Sequence, residues 1–321
     1  MNSQTKLLLD GAPLSNALPL AGRVTLITGA GRGIGREHAL AFARLGSAVV
    51  VNDFGGAGDG SGGSHEPAEQ VVAEIQAMGG QAVAQFGDVS DPKCAQEMVE
   101  IALREYGDIH TLVNNAGNLR DKTILNMAVE DFESVINVHL KGTFLTTQAV
   151  GRYWKDAVKE GKAQDPRIVN TTSGSGLFGN FGQGNYSPAK AGIAAFTIVT
   201  SLEFAKMGVL ANCIAPVAKT RLLGTVGTPM ELKEGYDPFN PAYISNAVSW
   251  LGGPDCSVTG RAFSVVGGYI GVAEGWQIGA TVLNEDGPLT YEMINERLPK
   301  AVADSRPNAS PGASHPFSMR G

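Results

Sequence analysis

A chain of 321 residues with 43% apolar and 17% charged residues has the composition of a folded globular protein and is long enough to bury a sizeable core. Its net charge of −6, with no cluster of Lys and Arg, argues against a nucleic-acid partner. No apolar stretch approaches the ~18 residues of a membrane span, and the run after Lys6 is too short for a signal peptide. Cys94, Cys213 and Cys256 lack metal-ligand spacing, so we expect no metal site and free, buried thiols in the cytoplasm.

Short β-branched runs alternate with helical patterns from Val24 onward. The runs predict strands at 24–28, 48–53, 82–89, 111–117, 167–173 and 209–216, and a shorter seventh strand at 262–266. Helical patterns lie between them, including a long helix near 131–153 and another at 186–207. This alternation predicts an α/β, Rossmann-type doubly wound parallel sheet of about seven strands with helices on both faces, in a single domain at 21–275.

Three segments lie outside the alternation. Residues 1–20 form an N-terminal extension, and residues 276–321 form a C-terminal extension whose end, 302–321, is rich in Pro, Ser and Ala. Residues 55–66, GGAGDGSGGSHE, are a glycine-rich insertion after the second strand. The composition of the insertion favours a flexible loop over a lid on a ligand.

A glycine-rich turn joins the first strand to the first helix. Residues 28–35 read TGAGRGIG, which is neither the GxGxxG fingerprint nor a P-loop. Bare backbone N–H groups and a helix N-terminus at such a turn can nevertheless receive a pyrophosphate. A purely structural turn is the alternative, and the alternating context favours the cofactor.

Asp53 ends the second strand, where a carboxylate can accept hydrogen bonds from the adenosine ribose of NAD and repel the 2′-phosphate of NADP. Arg32, inside the glycine loop, is the opposing signal because a guanidinium can bind that phosphate. We therefore expect NAD, with NADP as the alternative. Asp88 is expected either to touch the adenine or to cap the helix that begins near Pro92.

Tyr186 and Lys190 are four residues apart in YSPAK, so a helix presents both side chains on one face. A nearby ammonium and a positive nicotinamide ring would stabilise the tyrosine phenolate and bring its pKa toward the working range. Ser173 ends the predicted RIVNTTS strand, where its hydroxyl could hold a substrate oxygen. A lone YxxxK would be an ordinary surface pair, but the serine and the glycine loop in the same strand order argue against that.

Together, TGAGRGIG, the NNAG of residues 114–117, Ser173 and YSPAK resemble the signature set of the short-chain dehydrogenase/reductase family over residues 20–270. The resemblance implies that Tyr186 is the general acid/base, that Lys190 binds the nicotinamide ribose, and that Ser173 orients the reacting oxygen. The cofactor-binding residues it implies, with those argued above, are Gly29, Arg32, Gly33, Ile34, Gly35, Asp53, Asp88, Val89, Asn115, Ala116, Gly117, Tyr186, Lys190, Pro216 and Thr220.

Two positions depart from the family pattern. Val217 follows Pro216 where a glycine is usual. His139 stands where most members carry the asparagine of a proton-relay tetrad, and it is either a relay residue or a packed one. This histidine, with VVVNDFGG, NLRDKT and GNFGQGNYSPAK, resembles the (3R)-hydroxyacyl-CoA dehydrogenase units of the peroxisomal multifunctional enzyme and their bacterial relatives.

The resemblance implies an NAD-dependent oxidoreductase acting on a secondary alcohol, preferably a 3-hydroxyacyl-CoA, whose acyl part can be bulky or steroid-derived. The alternatives are a 17β-hydroxysteroid dehydrogenase, a 3-oxoacyl-ACP reductase, and an NAD(H)-binding regulatory or partner subunit without turnover. The segment 221–241, which contains Met230, Tyr236 and Phe239, suggests a hydrophobic substrate. A homo-oligomer, dimer or tetramer, is expected.

Overall fold

The computed structural model describes residues 18–162, 165–219, 236–285, 287–309 and 311. Thr220, Arg221 and Met230, named above, lie outside these residues, as does most of the N-terminal extension. The strands are β1 (Val24–Ile27), β2 (Ala48–Asp53), β3 (Ala82–Phe86), β4 (Thr111–Asn114), β5 (Arg167–Thr171), β6 (Leu210–Pro216), β7 (Ala262–Val266) and β8 (Tyr269–Ala273).

Helices lie in the connections between the parallel strands, and one more helix follows β8. They are α1 (Gly33–Arg44), α2 (Glu66–Ala77), α3 (Pro92–Tyr106), α4 (Val129–Ile136), α5 (Gly142–Lys159), α6 (Gly174–Phe178), α7 (Tyr186–Glu203), α8 (Ala242–Leu251) and α9 (Tyr291–Asp304). The predicted long helix near 131–153 is instead two helices, α4 and α5, joined by a π-helical turn at Asn137–Lys141. Short 3-10 turns lie at Ile124–Asn126 and Ala205–Met207.

The described strands form one sheet in the order β3-β2-β1-β4-β5-β6-β7-β8. Every pair is parallel except β7 with β8, so the doubly wound prediction is confirmed. The eighth strand was not predicted. Gly267, at φ +52°, allows a two-residue turn after β7, and β8 then returns along the edge of the sheet.

Both faces of the sheet are buried, which explains the continuous apolar runs in its strands. Alternate residues pack on opposite faces, so Val49 and Val51 lie with Phe42 of α1, whereas Val50 lies with Met98 of α3. The three cysteines are free and buried, as expected. No helix of the described residues is both long and apolar enough to cross a membrane, and those residues contain no group of three potential metal ligands.

A buried polar ladder ties the central strands to the helices that carry the site. The Asn114 side chain donates to Asn170 Oδ1 at 2.9 Å, and Asn170 donates to Thr197 Oγ1 of α7 at 2.9 Å. Thr146 of α5 donates to Asn114 Oδ1 at 2.6 Å. Because unpaired polar groups in a core are costly, these bonds fix α5 and α7 against β4 and β5 in one arrangement.

Candidate active site

A cavity of about 680 Å³ lies at the carboxyl ends of the strands. This is where doubly wound sheets bind ligands, and its size lies within the usual range of small-molecule sites. Its lining includes every candidate site residue among the described residues, namely Gly29, Arg32, Gly33, Ile34, Gly35, Asp53, Asp88, Val89, Asn115, Ala116, Gly117, His139, Ser173, Tyr186, Lys190 and Pro216. Thr220 is the one candidate that lies outside the described residues.

The glycine loop is shaped by close backbone contacts. Gly29 (φ +61°) and Gly33 (φ +55°) have left-handed conformations that favour glycine. A β-carbon on Gly29 would lie 2.7 Å from Ala116 Cα, and one on Gly35 would lie 2.1 Å from the Gly29 carbonyl oxygen. Side chains at these positions would therefore push the loop away from β4 and from its own helix.

The N-terminus of α1 opens into this cavity without a capping side chain. Arg32 precedes the helix and makes no cap, and the first turn contains no acidic residue. The first N–H groups of the helix are thus left for a ligand, and the helix dipole favours an anion there. These features suit the pyrophosphate of a dinucleotide.

Thr28 joins the glycine loop to the segment after β4. Its hydroxyl oxygen accepts hydrogen bonds from the backbone N–H groups of Asn115, at 2.9 Å, and Ala116, at 3.0 Å. The Asn115 side chain returns bonds to the carbonyl oxygens of Thr28 and Gly29, each at 3.1 Å. The sequence identified Thr28 only as the first residue of the glycine loop. The contacts of Thr28 with the segment after β4 depend on strand pairing, which local sequence does not show.

Asp53 and Arg32 are both engaged by backbone groups. Asp53 accepts from Gly31 N at 2.7 Å and from Gly55 N at 2.6 Å, one bond to each carboxylate oxygen. Arg32 donates from Nη1 to the Gly56 carbonyl at 3.1 Å. The carboxylate is therefore held in place at the cavity, and the guanidinium is bound to the glycine-rich insertion.

One of the two interpretations of Asp88, that it caps the helix beginning at Pro92, is wrong. Asp91 is the cap, because its carboxylate accepts from Lys93 N at 2.9 Å. The Asp88 carboxylate accepts from Ser90 N at 2.8 Å and lines the cavity.

Val217, the departure after Pro216, donates its N–H to the Val265 carbonyl at 3.0 Å, so this segment continues the pairing with β7.

Ser173 and Tyr186 both line the cavity. Ser173 caps α6 and accepts from Ser175 N at 3.2 Å, while Tyr186 is the first residue of α7. Burial raises the pKa of Tyr186 to about 12, and the Ser173 hydroxyl opposes that rise. The chain alone thus keeps the phenol protonated, and the lower pKa expected from sequence would require the positive nicotinamide ring.

Lys190 lies beneath this tyrosine and is only 2% exposed. Its ammonium donates to the Thr171 carbonyl at 2.6 Å and lies 5.6 Å from the centre of the Tyr186 ring. Burial lowers the pKa of Lys190 to about 7. A buried cation beside a phenol is typical of a functional site rather than of a stabilising ion pair.

His139 is buried in the π-helical turn, with its ring edge-on to Tyr186 at 5.2 Å between centroids. Its Nε2 lies 3.1 Å from Asn118 N and 2.8 Å from the Asn118 carbonyl, while Nδ1 has no hydrogen-bond partner. Burial, and then the charge of Lys190, hold the pKa of His139 well below its usual value, so the ring is neutral. The ring is therefore packed, yet it keeps one polar atom free beside the tyrosine.

Asn118 is a site residue that sequence inspection missed. It lines the cavity, contacts His139 through its backbone and donates from its side chain to Ser134 Oγ at 2.9 Å. Its Oδ1 is buried without a hydrogen-bond partner. Its place directly after the NNAG motif was the only available signal.

The donor set and the cavity fit a nicotinamide dinucleotide. The uncapped N–H groups of α1 match a pyrophosphate, the fixed Asp53 carboxylate matches ribose hydroxyls, and Tyr186 with Lys190 lies at the other end. The glycines of the loop leave room for the backbone to approach the phosphates. No other class of cofactor is needed to explain this arrangement.

Residues 23–231 match the short chain dehydrogenase family. The chain belongs to the short chain dehydrogenase family. It is 39% identical over 289 residues to mouse peroxisomal multifunctional enzyme type 2, which covers 89% of this chain and 37% of that protein. It is 40% identical over 258 residues to the hydroxyacyl-CoA dehydrogenase ChsB1 of Mycobacterium tuberculosis, covering 79% of this chain and 80% of that protein. The crystal structure of a short chain dehydrogenase from Mycobacterium avium has a TM-score of 0.80 and 43% identity, covering 91% of this chain and 98% of that one.

As a member of this family, the chain is an oxidoreductase of CH–OH groups that interconverts a secondary alcohol and a ketone with a nicotinamide cofactor. It spans little more than a third of the length of the mouse multifunctional enzyme, so the other activities of that protein are not carried over. Its sequence resembles the (3R)-hydroxyacyl-CoA dehydrogenase units, as expected from the motifs.

Proposed function

We propose that the chain interconverts a 3-hydroxyacyl-CoA and the corresponding 3-oxoacyl-CoA, with NAD as the cofactor. The observation that carries the proposal is that Ser173 and Tyr186 line one cavity, with the buried Lys190 ammonium 5.6 Å from the centre of the tyrosine ring. Its sequence similarity to a protein named hydroxyacyl-CoA dehydrogenase supports the choice of substrate.

In alcohol oxidation, Tyr186 Oη takes the hydroxyl proton of the substrate while the Ser173 hydroxyl holds the same oxygen. A bound nicotinamide would supply the hydride acceptor for the hydrogen on the carbinol carbon. Lys190, still bonded to Thr171, stabilises the phenolate by its charge and would hold the ribose of the bound cofactor. In ketone reduction the same tyrosine donates the proton, and its high pKa in the free chain favours that protonated form.

We assign His139 to the proton path that serves Lys190 and Tyr186. Its unpartnered Nδ1 is a buried polar atom, which a water molecule or an adjacent group would satisfy. Nε2 is already engaged by the Asn118 backbone, so Nδ1 is the atom that can hold and orient a water molecule of that path. This role differs from simple packing, which a nonpolar ring would fill equally well.

The preference for NAD follows from the charges at the adenosine end. The Asp53 carboxylate is fixed by Gly31 and Gly55, so it cannot move away from a 2′-phosphate without losing two hydrogen bonds. Arg32 is bonded to the Gly56 carbonyl, which restrains a cation that would favour NADP. The fixed Asp53 carboxylate and the restrained Arg32 guanidinium together favour repulsion of the 2′-phosphate, and therefore NAD over NADP.

Exposed apolar side chains next to cavity-lining residues support an acyl substrate. Phe181 is 89% exposed and lies between Asn180 and Gln183, which both line the cavity. Ile124, 80% exposed, contacts Gly184, two residues before Tyr186. Exposed apolar side chains gathered at the mouth of a cavity mark a binding surface for apolar groups.

We also propose that the chain forms a homo-oligomer. Phe144 of α5 packs edge-on against Phe196 of α7, and beside them Val199 and Leu202 of α7 are exposed by 45% and 72%. A second copy would cover this apolar face.

The test is NADH formation from a panel of (3R)- and (3S)-3-hydroxyacyl-CoAs, 3-hydroxyacyl-ACPs and 17β-hydroxysteroids, each with NAD and with NADP. We expect the highest kcat/KM with a 3-hydroxyacyl-CoA, and a preference for NAD over NADP of about a hundredfold. A higher kcat/KM with a steroid or an acyl-ACP would mean that this class of compound, and not a 3-hydroxyacyl-CoA, is the substrate. Absence of turnover with every alcohol would favour a regulatory or partner subunit instead.

A further inference from the structure

The glycine-rich insertion after β2 plays no part in the chemistry above, yet it has a defined path. Ser64 donates to the Phe54 carbonyl at 3.3 Å, which closes the insertion at its base. Ala57 N donates to the Ser61 carbonyl at 2.7 Å, and Gly60 N to the Ala57 carbonyl at 3.0 Å. The structure thus favours a folded turn over the flexible loop that composition suggested.

The insertion is fastened to the opposite side of the cavity. Arg120 Nε donates to the Asp59 carbonyl at 2.8 Å, and Leu119 N donates to the Gly58 carbonyl at 3.0 Å. Asn118 Nδ2 lies 3.4 Å from the same Asp59 carbonyl. These contacts join residues about 60 positions apart along the chain.

The strand order shows what lies between the two ends of this connection. The insertion leaves the sheet at the end of β2, residues 118–120 follow β4, and β1 lies between those strands. The connection therefore passes across the carboxyl end of β1, where the glycine loop receives the dinucleotide. Gly56, Ala57, Gly58 and Gly60 line the same cavity, and Arg32 of the glycine loop is bonded to Gly56.

We propose that residues 56–60 form a clamp across the bound dinucleotide, held closed by Arg120 and Asn118, which slows release of the cofactor. The inference rests on the proposed cofactor site and not on the identity of the alcohol. The clamp must open for the dinucleotide to leave, so weakening its fastening accelerates dissociation. Asn118 also contacts His139, so one of the residues that fasten the clamp touches a residue assigned to the proton path.

The first test compares Gly60→Ala with Gly62→Ala. Both glycines have left-handed backbones, at φ +85° and φ +73°, so both substitutions carry the same conformational strain. A β-carbon on Gly60 would lie 2.7 Å from Asn118 Nδ2, whereas one on Gly62 would meet nothing within 4 Å. The proposal predicts a dissociation rate for NADH, measured by stopped-flow fluorescence, about tenfold faster in Gly60→Ala and within about twofold of wild type in Gly62→Ala.

The second test compares Arg120→Met with Lys122→Met and covers the case in which Gly60→Ala fails to fold. Both side chains pair with Asp131, Arg120 at 3.5 Å and Lys122 at 2.7 Å, but only Arg120 also reaches the clamp. NADH dissociation is expected to be about tenfold faster in Arg120→Met alone.

Equal dissociation rates within each pair of variants would overturn the clamp. Because NADH binds without substrate, this readout is independent of the proposed alcohol. A wrong substrate would change turnover in the panel and leave these rates as predicted, whereas a wrong clamp would leave turnover on 3-hydroxyacyl-CoA intact.

Discussion

At the scale of single residues, the burial of Lys190 disfavours the charged form of its side chain. Burial lowers the lysine pKa from 10.5 to about 7, because the folded chain disfavours an ammonium with few polar neighbours. Between these two values the unfolded chain binds more protons than the folded chain, so the free energy of unfolding rises with pH. Below pH ~7 both states are protonated and the unfavourable contribution of Lys190 is constant.

Lys190→Met should therefore flatten the pH dependence of stability while abolishing turnover. Urea unfolding of wild type between pH ~7 and ~9 is expected to show a Lys190 contribution of about 1 kcal/mol per pH unit, which the variant lacks. Lys155→Met, at an exposed position of α5, should keep the wild-type slope. An unchanged slope in Lys190→Met would mean that the buried amine does not titrate in this range.

At the scale of elements, the π-helical turn between α4 and α5 brings His139 to the site. A π turn widens a helix by one residue and is often found where a side chain must be redirected. Here it buries the ring against Gly117, on which a β-carbon would lie only 2.3 Å from His139 Cε1. The turn, the glycine and the imidazole form one arrangement, in which Nδ1 stays unpartnered.

Two substitutions separate a relay role for His139 from packing. His139→Asn keeps a polar group and is expected to retain kcat within a few-fold of wild type, whereas His139→Leu fills space without one and should lower kcat by about tenfold or more. The solvent isotope effect on kcat should rise in His139→Leu, since proton transfer then becomes slower. Equal kcat values and isotope effects in the two variants, with similar melting temperatures, would assign the ring to packing alone.

At the scale of the whole molecule, sequence patterns predicted the sheet and the catalytic residues because both are encoded locally. β-branched runs mark strands buried on both faces, and the four-residue spacing of Tyr186 and Lys190 places both side chains on one helix face. The eighth strand was missed because Tyr269–Ala273 carries exposed Ile270 and Val272 on a short edge after two glycines. The path of the insertion was missed because glycines carry no hydrophobic pattern and its fastening to Arg120 is long-range.

The exposed apolar face of α5 and α7 is also a property of the whole molecule. We expect light scattering after size-exclusion chromatography to give a dimer or tetramer for wild type, and a smaller species for Leu202→Glu. Val158→Glu, at a 44% exposed position on α5 near its C-terminal end, should leave the assembly unchanged. A monomeric wild type, or a Leu202→Glu variant with the wild-type mass, would rule this face out as the interface.

The most direct test of the proposed chemistry is NADH formation from a 3-hydroxyacyl-CoA by wild type and by Tyr186→Phe. The substitution removes one oxygen, the proposed proton acceptor, and leaves the aromatic ring beside His139 and Lys190. We expect kcat to fall by about a thousandfold, while the affinity for NADH changes by no more than about twofold. Turnover by Tyr186→Phe at the wild-type rate would contradict the proposed role of this tyrosine and the mechanism built on it.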